Sequence, residues 1–245
     1  MQVTAVLFDM GGTLFSYAAR EQMGRANAAA LQRLGLSPDD PGVRAARQRA
    51  SEDVERAYAA RRSFLHRDLF RDRVARTAEL LGITAPPEVL SRFDVEQREA
   101  VIEHLLPMPD AHDTLRGLRA RGVYTGVVSN ADDDYLGAVL RRHGIDALVD
   151  DWTSSEEADS CKPDGRIYEY SLAKAGRTAA ETLFVGDSPQ HDVAGAARAG
   201  MRTVLLGEPG AVAPLSHGLD ATEADFEVRT LFEVLAIVDG LNARS

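Results

Sequence analysis

The sequence predicts an α/β fold: a doubly wound, mainly parallel, Rossmann-like sheet with an inserted all-helical subdomain. Three observations predict it. Short apolar runs rich in Val, Leu or Phe recur at Val3 to Phe8, Val123 to Val128, Thr182 to Val185 and Thr203 to Leu206. Helix-periodic segments lie between them. The gap between the first two runs, from about Ser16 to Leu106, contains no strand-like run at all.

The four runs do not alternate apolar with polar residues, so each reads as a strand buried on both faces, as in a parallel sheet covered by helices. A weaker strand is expected at Leu148 to Thr153, and Phe226 to Val228 is expected to close an edge of the sheet, followed by an apolar helix from about Leu231 to Leu241. Between the strands, Ala111, Leu115 and Leu118 recur at helical spacing before Gly122. Tyr135, Leu136, Val139 and Leu140 do so before Gly144, and Ile167, Tyr168, Leu172 and Ala175 before Gly176. A glycine just past the periodic residues is a helix stop. Ser188-Pro189 pairs a helix N-cap with proline at the first helical position, which predicts a helix to about Ala199.

The long gap is different in kind. Met23, Ala26, Ala30 and Leu34 are spaced for a helix ending at Gly35; Phe70, Val74, Thr77 and Leu81 for one ending at Gly82; Pro86-Pro87 opens a third that carries Val89 and Phe93. Arg44 to Arg62, rich in Ala and Arg with interspersed acids, reads as a solvated helix face. A helical stretch of this length far exceeds an ordinary βα connection of about 2–6 residues. The expected division is a catalytic α/β core formed by residues 1–15 and 107–245, and a helical cap formed by residues 16–106.

The 245 residues carry a formal net charge of −10, which disfavours nucleic acid as a partner. No run approaches the roughly 20 apolar residues of a membrane span, and nothing resembles a signal peptide before Val3. Cys161 is the only cysteine, so no internal disulfide forms, which fits a cytoplasmic location. Lysine is rare: only Lys162 and Lys174 occur.

Four polar positions follow predicted strands, on the sheet edge where open α/β folds bind ligands. They are Asp9, Ser129-Asn130, Lys162, and Asp187 with Asp192 beyond it. Together they suit phosphoryl transfer. A carboxylate attacks phosphorus to form an acyl phosphate. Because carboxylate and phosphate repel, the site needs positive charge: Mg²⁺ shared by Asp9 and Asp187, and the ammonium group of Lys162. Ser129, Asn130 and the Gly11-Gly12 turn supply donors for the remaining oxygens. The expected partner is a small phosphorylated metabolite.

In this order, the motifs resemble those of the haloacid dehalogenase-like superfamily, in the phosphatase-type branch with a helical cap after the first strand. Asp9-Met10-Gly11-Gly12-Thr13-Leu14 is similar to its first motif, Ser129-Asn130 to its second, Lys162-Pro163 to its third, and Gly186-Asp187 through Asp192 to its fourth. The resemblance implies that Asp9 is nucleophile and metal ligand. It further implies that the backbone carbonyl of Gly11 and the Asp187 carboxylate complete the metal's protein ligands, with Asp192 supporting the metal shell or Lys162. Ser129 and Lys162 would bind the phosphate. The chain departs from the pattern at Gly11, where the family's phosphatases usually carry the aspartate that protonates the leaving group. Tyr17, His66 and Asp68 are candidates to replace it. Two alternatives stand beside a phosphatase: a catalytically impaired, phosphate-binding regulatory protein, and a 2-haloacid dehalogenase, whose halide leaves without a proton. If only the acid is missing, Gly11→Asp should speed hydrolysis of poor leaving groups.

Overall fold

The computed structural model describes residues 2–207 and 219–243. Among these residues the strands are β1 (Ala5–Phe8), β2 (Phe15–Ser16), β3 (Leu106–Pro107), β4 (Tyr124–Ser129), β5 (Asp151–Ser154), β6 (Thr182–Gly186), β7 (Arg202–Leu206) and β8 (Phe226–Val228). Helices α1 (Arg20–Met23), α2 (Arg25–Arg33), α3 (Pro41–Ala59), α4 (His66–Leu80) and α5 (Pro87–His104) lie between β2 and β3. Then come α6 (Ala111–Ala120), α7 (Asp133–Arg142), α8 (Gly165–Ala175), α9 (Ala194–Arg198) and α10 (Glu233–Asn242).

Six strands form one wholly parallel sheet in the order β5-β4-β1-β6-β7-β8. The winding reverses at β1, because β4 and β5 extend to one side and β6 to β8 to the other. Such a reversal opens a crevice at the carboxyl ends of the strands. The apolar runs do not alternate because both faces are covered. Val6, Phe8, Val127 and Val185 pack with Leu115 of α6, Leu136 of α7 and Val234 of α10. Leu7, Val128 and Phe184 point the other way, onto Ile167, Tyr168 and Leu172 of α8.

Two strands were absent from the sequence reading. β2 and β3 form a separate antiparallel ladder, Phe15 with Pro107 and Ser16 with Leu106. Two residue pairs are too few to leave a periodic signal. The helices between them have apolar clusters of their own. Ala26, Ala30, Val74 and Phe93 form one, Val54, Tyr58 and Leu69 the other. The side chain of Met23, expected on the same stripe as Ala26 and Ala30, lies outside the described residues.

Several boundaries move. β5 begins at Asp151 rather than at Leu148, which instead packs against the main core. α10 begins at Glu233, two residues after the predicted start. The segment after Ser188 is not one α-helix: Pro189–Val193 winds as a π turn before α9. The N-cap itself is present, with Ser188 Oγ accepting the N–H of His191 at 3.0 Å.

α4 has an unusual start. Its own N-cap position, Leu65, offers no side-chain acceptor. The fully buried carboxylate of Asp132, in the loop after β4, takes that part instead, accepting the N–H groups of His66 at 2.6 Å and Arg67 at 2.8 Å. A carboxylate from the sheet side thus caps a helix of the insertion.

Candidate active site

Three neighbouring strands deliver the first groups. Asp9 follows β1, Ser129 ends β4 and Asp187 follows β6, so all three stand at one sheet edge. The backbone N–H of Asp9 continues the ladder to Val185 at 2.9 Å, which fixes where its carboxylate leaves the sheet.

Lys162 arrives from a loop, and Asn130 holds it there. The amide of Asn130 accepts the Lys162 N–H at 2.6 Å and donates to the Lys162 carbonyl at 3.0 Å. His191 Nδ1 lies 3.1 Å from the same carbonyl. Lys162 Nζ then donates to Asp9 Oδ1 and Asp192 Oδ1, both at 2.6 Å. The second oxygen of Asp192 accepts the Ser188 N–H at 3.0 Å, so both Asp192 oxygens are engaged. The π turn aims this carboxylate inward. The second oxygen of Asp9 is met by the hydroxyl of buried Thr13, at 3.3 Å. Thr13 was not singled out from the sequence, although it stands in the first motif.

The electrostatics follow from burial. Lys162, Asp9 and Asp192 are 4, 7 and 1 % exposed. Burial pushes Asp9 up to about 6, with Asp192's charge adding and Lys162 opposing. Burial and then the repulsion of Asp9 push Asp187 up to about 8. Burial acts to lower Lys162, but Asp192 and Asp9 outweigh it and hold its ammonium form above the ordinary lysine range. Carboxylate oxygens of Asp9, Asp187 and Asp192 lie within 4.8 Å of one another. When ionised, these three acids carry an excess of two negative charges over the one ammonium group, which adds to burial in pushing Asp9 and Asp187 up. That deficit, in an all-oxygen donor set, fits a hard divalent cation.

A cavity of about 810 Å³ opens above this edge. Asp9, Gly11, Ser129, Asn130, Lys162, Asp187 and Asp192 all line it, so the structure gathers seven of the eight sequence-predicted residues around one space. Gly12 is not in the lining; it lies behind Asp187. Its φ is +94°, and a Cβ there would collide with the Asp187 carboxylate. The close approach that demands glycine is therefore made by Asp187. Arg44, Arg47, Gln48 and Ser51 of α3 also line the cavity. Their spacing of i, i+3, i+4 and i+7 places them on one helix face.

Of the three candidates to stand in for an acid at position 11, Tyr17 and His66 line the cavity. Asp68 does not, and it pairs with Arg71 at 2.5 Å. Gly11 and Tyr17 are in intimate contact: a Cβ on residue 11 would overlap the Tyr17 hydroxyl and lie 2.8 Å from Cζ. A side chain introduced by Gly11→Asp would meet the Tyr17 hydroxyl, so the Tyr17 ring would have to shift to admit it.

The sequence matches the haloacid dehalogenase-like hydrolase family over residues 3–200. The chain belongs to that family. It is thus a hydrolase with the α/β fold expected of one. Ribulose-1,5-bisphosphate 5-phosphatase of Halopiger xanaduensis is 32% identical over 243 residues, covering 96% of this chain and 99% of the relative. (S)-2-haloacid dehalogenase 4A of Burkholderia cepacia is 29% identical, but over 144 residues, 54% of this chain and 62% of the relative. Among solved structures, a haloacid dehalogenase-like phosphatase of Thermococcus onnurineus superposes with a TM-score of 0.67 at 26% identity, covering 99% of this chain and 100% of that one. Among the described residues no helix of this family member is long and apolar enough to cross a membrane.

Proposed function

We infer that this hydrolase is a Mg²⁺-dependent phosphomonoester hydrolase acting on a small phosphorylated metabolite, with Asp9 as the covalent nucleophile. The observation that carries the reading is the buried Lys162 ammonium group, 2.6 Å from both Asp9 and Asp192, beside an Asp187 whose carboxyl is pushed up to about 8 by burial and by Asp9. Lys162 is poised to neutralise an anion delivered to Asp9. The Halopiger xanaduensis relative, which matches over 99% of its length, is a phosphatase, which supports the same reading.

Asp9, Asp187 and the Gly11 carbonyl would hold the metal, and Asp192, with both oxygens occupied, supports Lys162. When bound, Mg²⁺ supplies Lewis-acid charge that offsets the repulsion between carboxylate and phosphate. Ser129 and Lys162 hold phosphate oxygens, while Asn130 fixes Lys162. An Asp9 oxygen attacks phosphorus, the ester P–O bond breaks, and the leaving oxygen takes up a proton. Water then attacks the phosphorus of the aspartyl phosphate, releasing inorganic phosphate and regenerating Asp9. The arginine-bearing face of α3, which lines the cavity, suits an anionic substrate. The helices between β2 and β3 act as a cap domain with its own core, closing over residues 1–15 and 107–245.

The test is hydrolysis of an activated aryl phosphate. Turnover should require Mg²⁺ and vanish in Asp9→Asn, with a phosphoenzyme trapped in the wild type. Halide release from a 2-haloacid without added metal, and no phosphate release, would overturn the reading.

A further inference from the structure

We propose that Tyr17 is the proton donor to the leaving group, taking the place of the aspartate that Gly11 lacks. The inference rests on the phosphatase reading above.

The argument is geometric. The Tyr17 hydroxyl lies as near the Cβ position of residue 11 as an aspartate's carboxylate oxygens lie to their own Cβ. One oxygen acid therefore occupies volume that another would fill. The ring is anchored: Tyr17 packs against the main core cluster, and it opens a 3₁₀ turn (Tyr17–Ala19) directly after β2. Gly11 is bridged to Phe15, and the Gly12 N–H donates to the Phe15 carbonyl at 2.7 Å, so the first motif and the turn carrying Tyr17 are tied together. Tyr17 also lines the cavity with Asp9 and Lys162. Glycine at position 11 is then more than a loss. It is what admits the phenol.

The chemistry balances. As Asp9 attacks and the P–O bond to the leaving group breaks, the departing oxygen takes the phenolic proton and leaves tyrosinate. In the second step tyrosinate takes a proton from the attacking water, and the P–O bond to Asp9 breaks. Tyr17 and Asp9 both return to their starting forms. A phenol is a weak acid, so its help matters most when the leaving oxygen is strongly basic.

The experiment compares kcat/KM of wild type and Tyr17→Phe across phosphate esters, from nitrophenyl to simple alkyl, with Mg²⁺ present. Phe keeps the ring and removes only the hydroxyl. The expected result is a loss on the order of 10²-fold or more for alkyl esters, with a much smaller loss for nitrophenyl phosphate. Calorimetric affinity for inorganic phosphate should be unchanged. Gly11→Asp alone should not gain activity, whereas Gly11→Asp with Tyr17→Ala should recover alkyl-ester turnover relative to Tyr17→Ala. Equal losses for all esters, or a parallel fall in phosphate affinity, would overturn the assignment. If wild type itself hydrolyses neither class of ester, the phosphatase reading fails first and this one with it.

Discussion

Replacing Lys162 with methionine removes the ammonium group and keeps most of the side chain's bulk. The lysine side chain is 3% exposed and its two partners are 9% and 2% exposed, so solvent cannot take over its work. The substitution leaves two buried carboxylates facing each other. Breaking a buried ion pair from one side costs about 3–5 kcal/mol. For a protein of this size each kcal/mol shifts Tm by about 2–4 °C, so the expected fall is roughly 6–20 °C. Protonation limits it. Asp9 is already raised to about 6, and a carboxylate so raised destabilises the fold only when ionised. The loss should therefore be smaller at pH 5 than at pH 8. Thermal unfolding in EDTA, followed by circular dichroism, measures it. Asp192→Asn added to Lys162→Met should recover part of the loss, because one of the two opposed charges is gone. Strictly additive losses, or a Tm unmoved at pH 8, would refute the claim that Lys162 is the shared counter-ion.

Two further outcomes follow from the same geometry. Gly12→Ala forces a side chain into a left-handed backbone at φ +94° and against Asp187, a strain of about 1–3 kcal/mol. Mg²⁺ affinity by calorimetry should fall well before overall stability does; wild-type affinity would show that Gly12 does not shape the metal site. Asp132→Ala deprives α4 of its only carboxylate cap, worth about 0.5–2 kcal/mol. Hydrogen exchange should rise selectively at the N-terminal turn of α4, and uniform protection there would count against the cap.

Much of this was legible in the sequence, for physical reasons that differ by residue. The runs at β1, β4 and β6 show themselves because two-sided burial demands uninterrupted apolar residues, and the edge they share follows from parallel topology. Parallel topology therefore brings Asp9, Ser129 and Asp187 near one another, whereas Lys162 comes from a loop that Asn130 holds in place. The π turn at Pro189–Val193 was not legible. Ser188-Pro189 reports a helix start, but the wider winding depends on Asp192 reaching back to Ser188 and across to Lys162, a partner 30 residues away. Gly11 showed what was missing and left Tyr17, His66 and Asp68 as candidates to replace it. Only the course of the chain after β2 brings the Tyr17 hydroxyl there. Asn130 was read as a phosphate donor; its amide also clasps the Lys162 backbone, using its oxygen and one of its two N–H groups, a link that pairs residues 32 apart in the chain.

The β2–β3 ladder has a consequence for how such a protein changes over time. The two ends of the helical insertion are hydrogen-bonded neighbours, Ser16 beside Leu106. From the sheet's side, the insertion is a single closed loop that leaves and rejoins the core at one spot, with the Asp132 cap on α4 as a further tie. Lengthening or exchanging it alters the closure entropy only slowly, as the logarithm of loop length. The wall facing the substrate can thus be rewritten while Asp9, Lys162 and Asp187 keep their register. Tyr17 sits on the wrong side of that freedom: placed just past β2, it is part of the replaceable loop yet in contact with Gly11. With Tyr17 as the proton donor proposed above, a graft that leaves it behind would keep Asp9 and lose the proton.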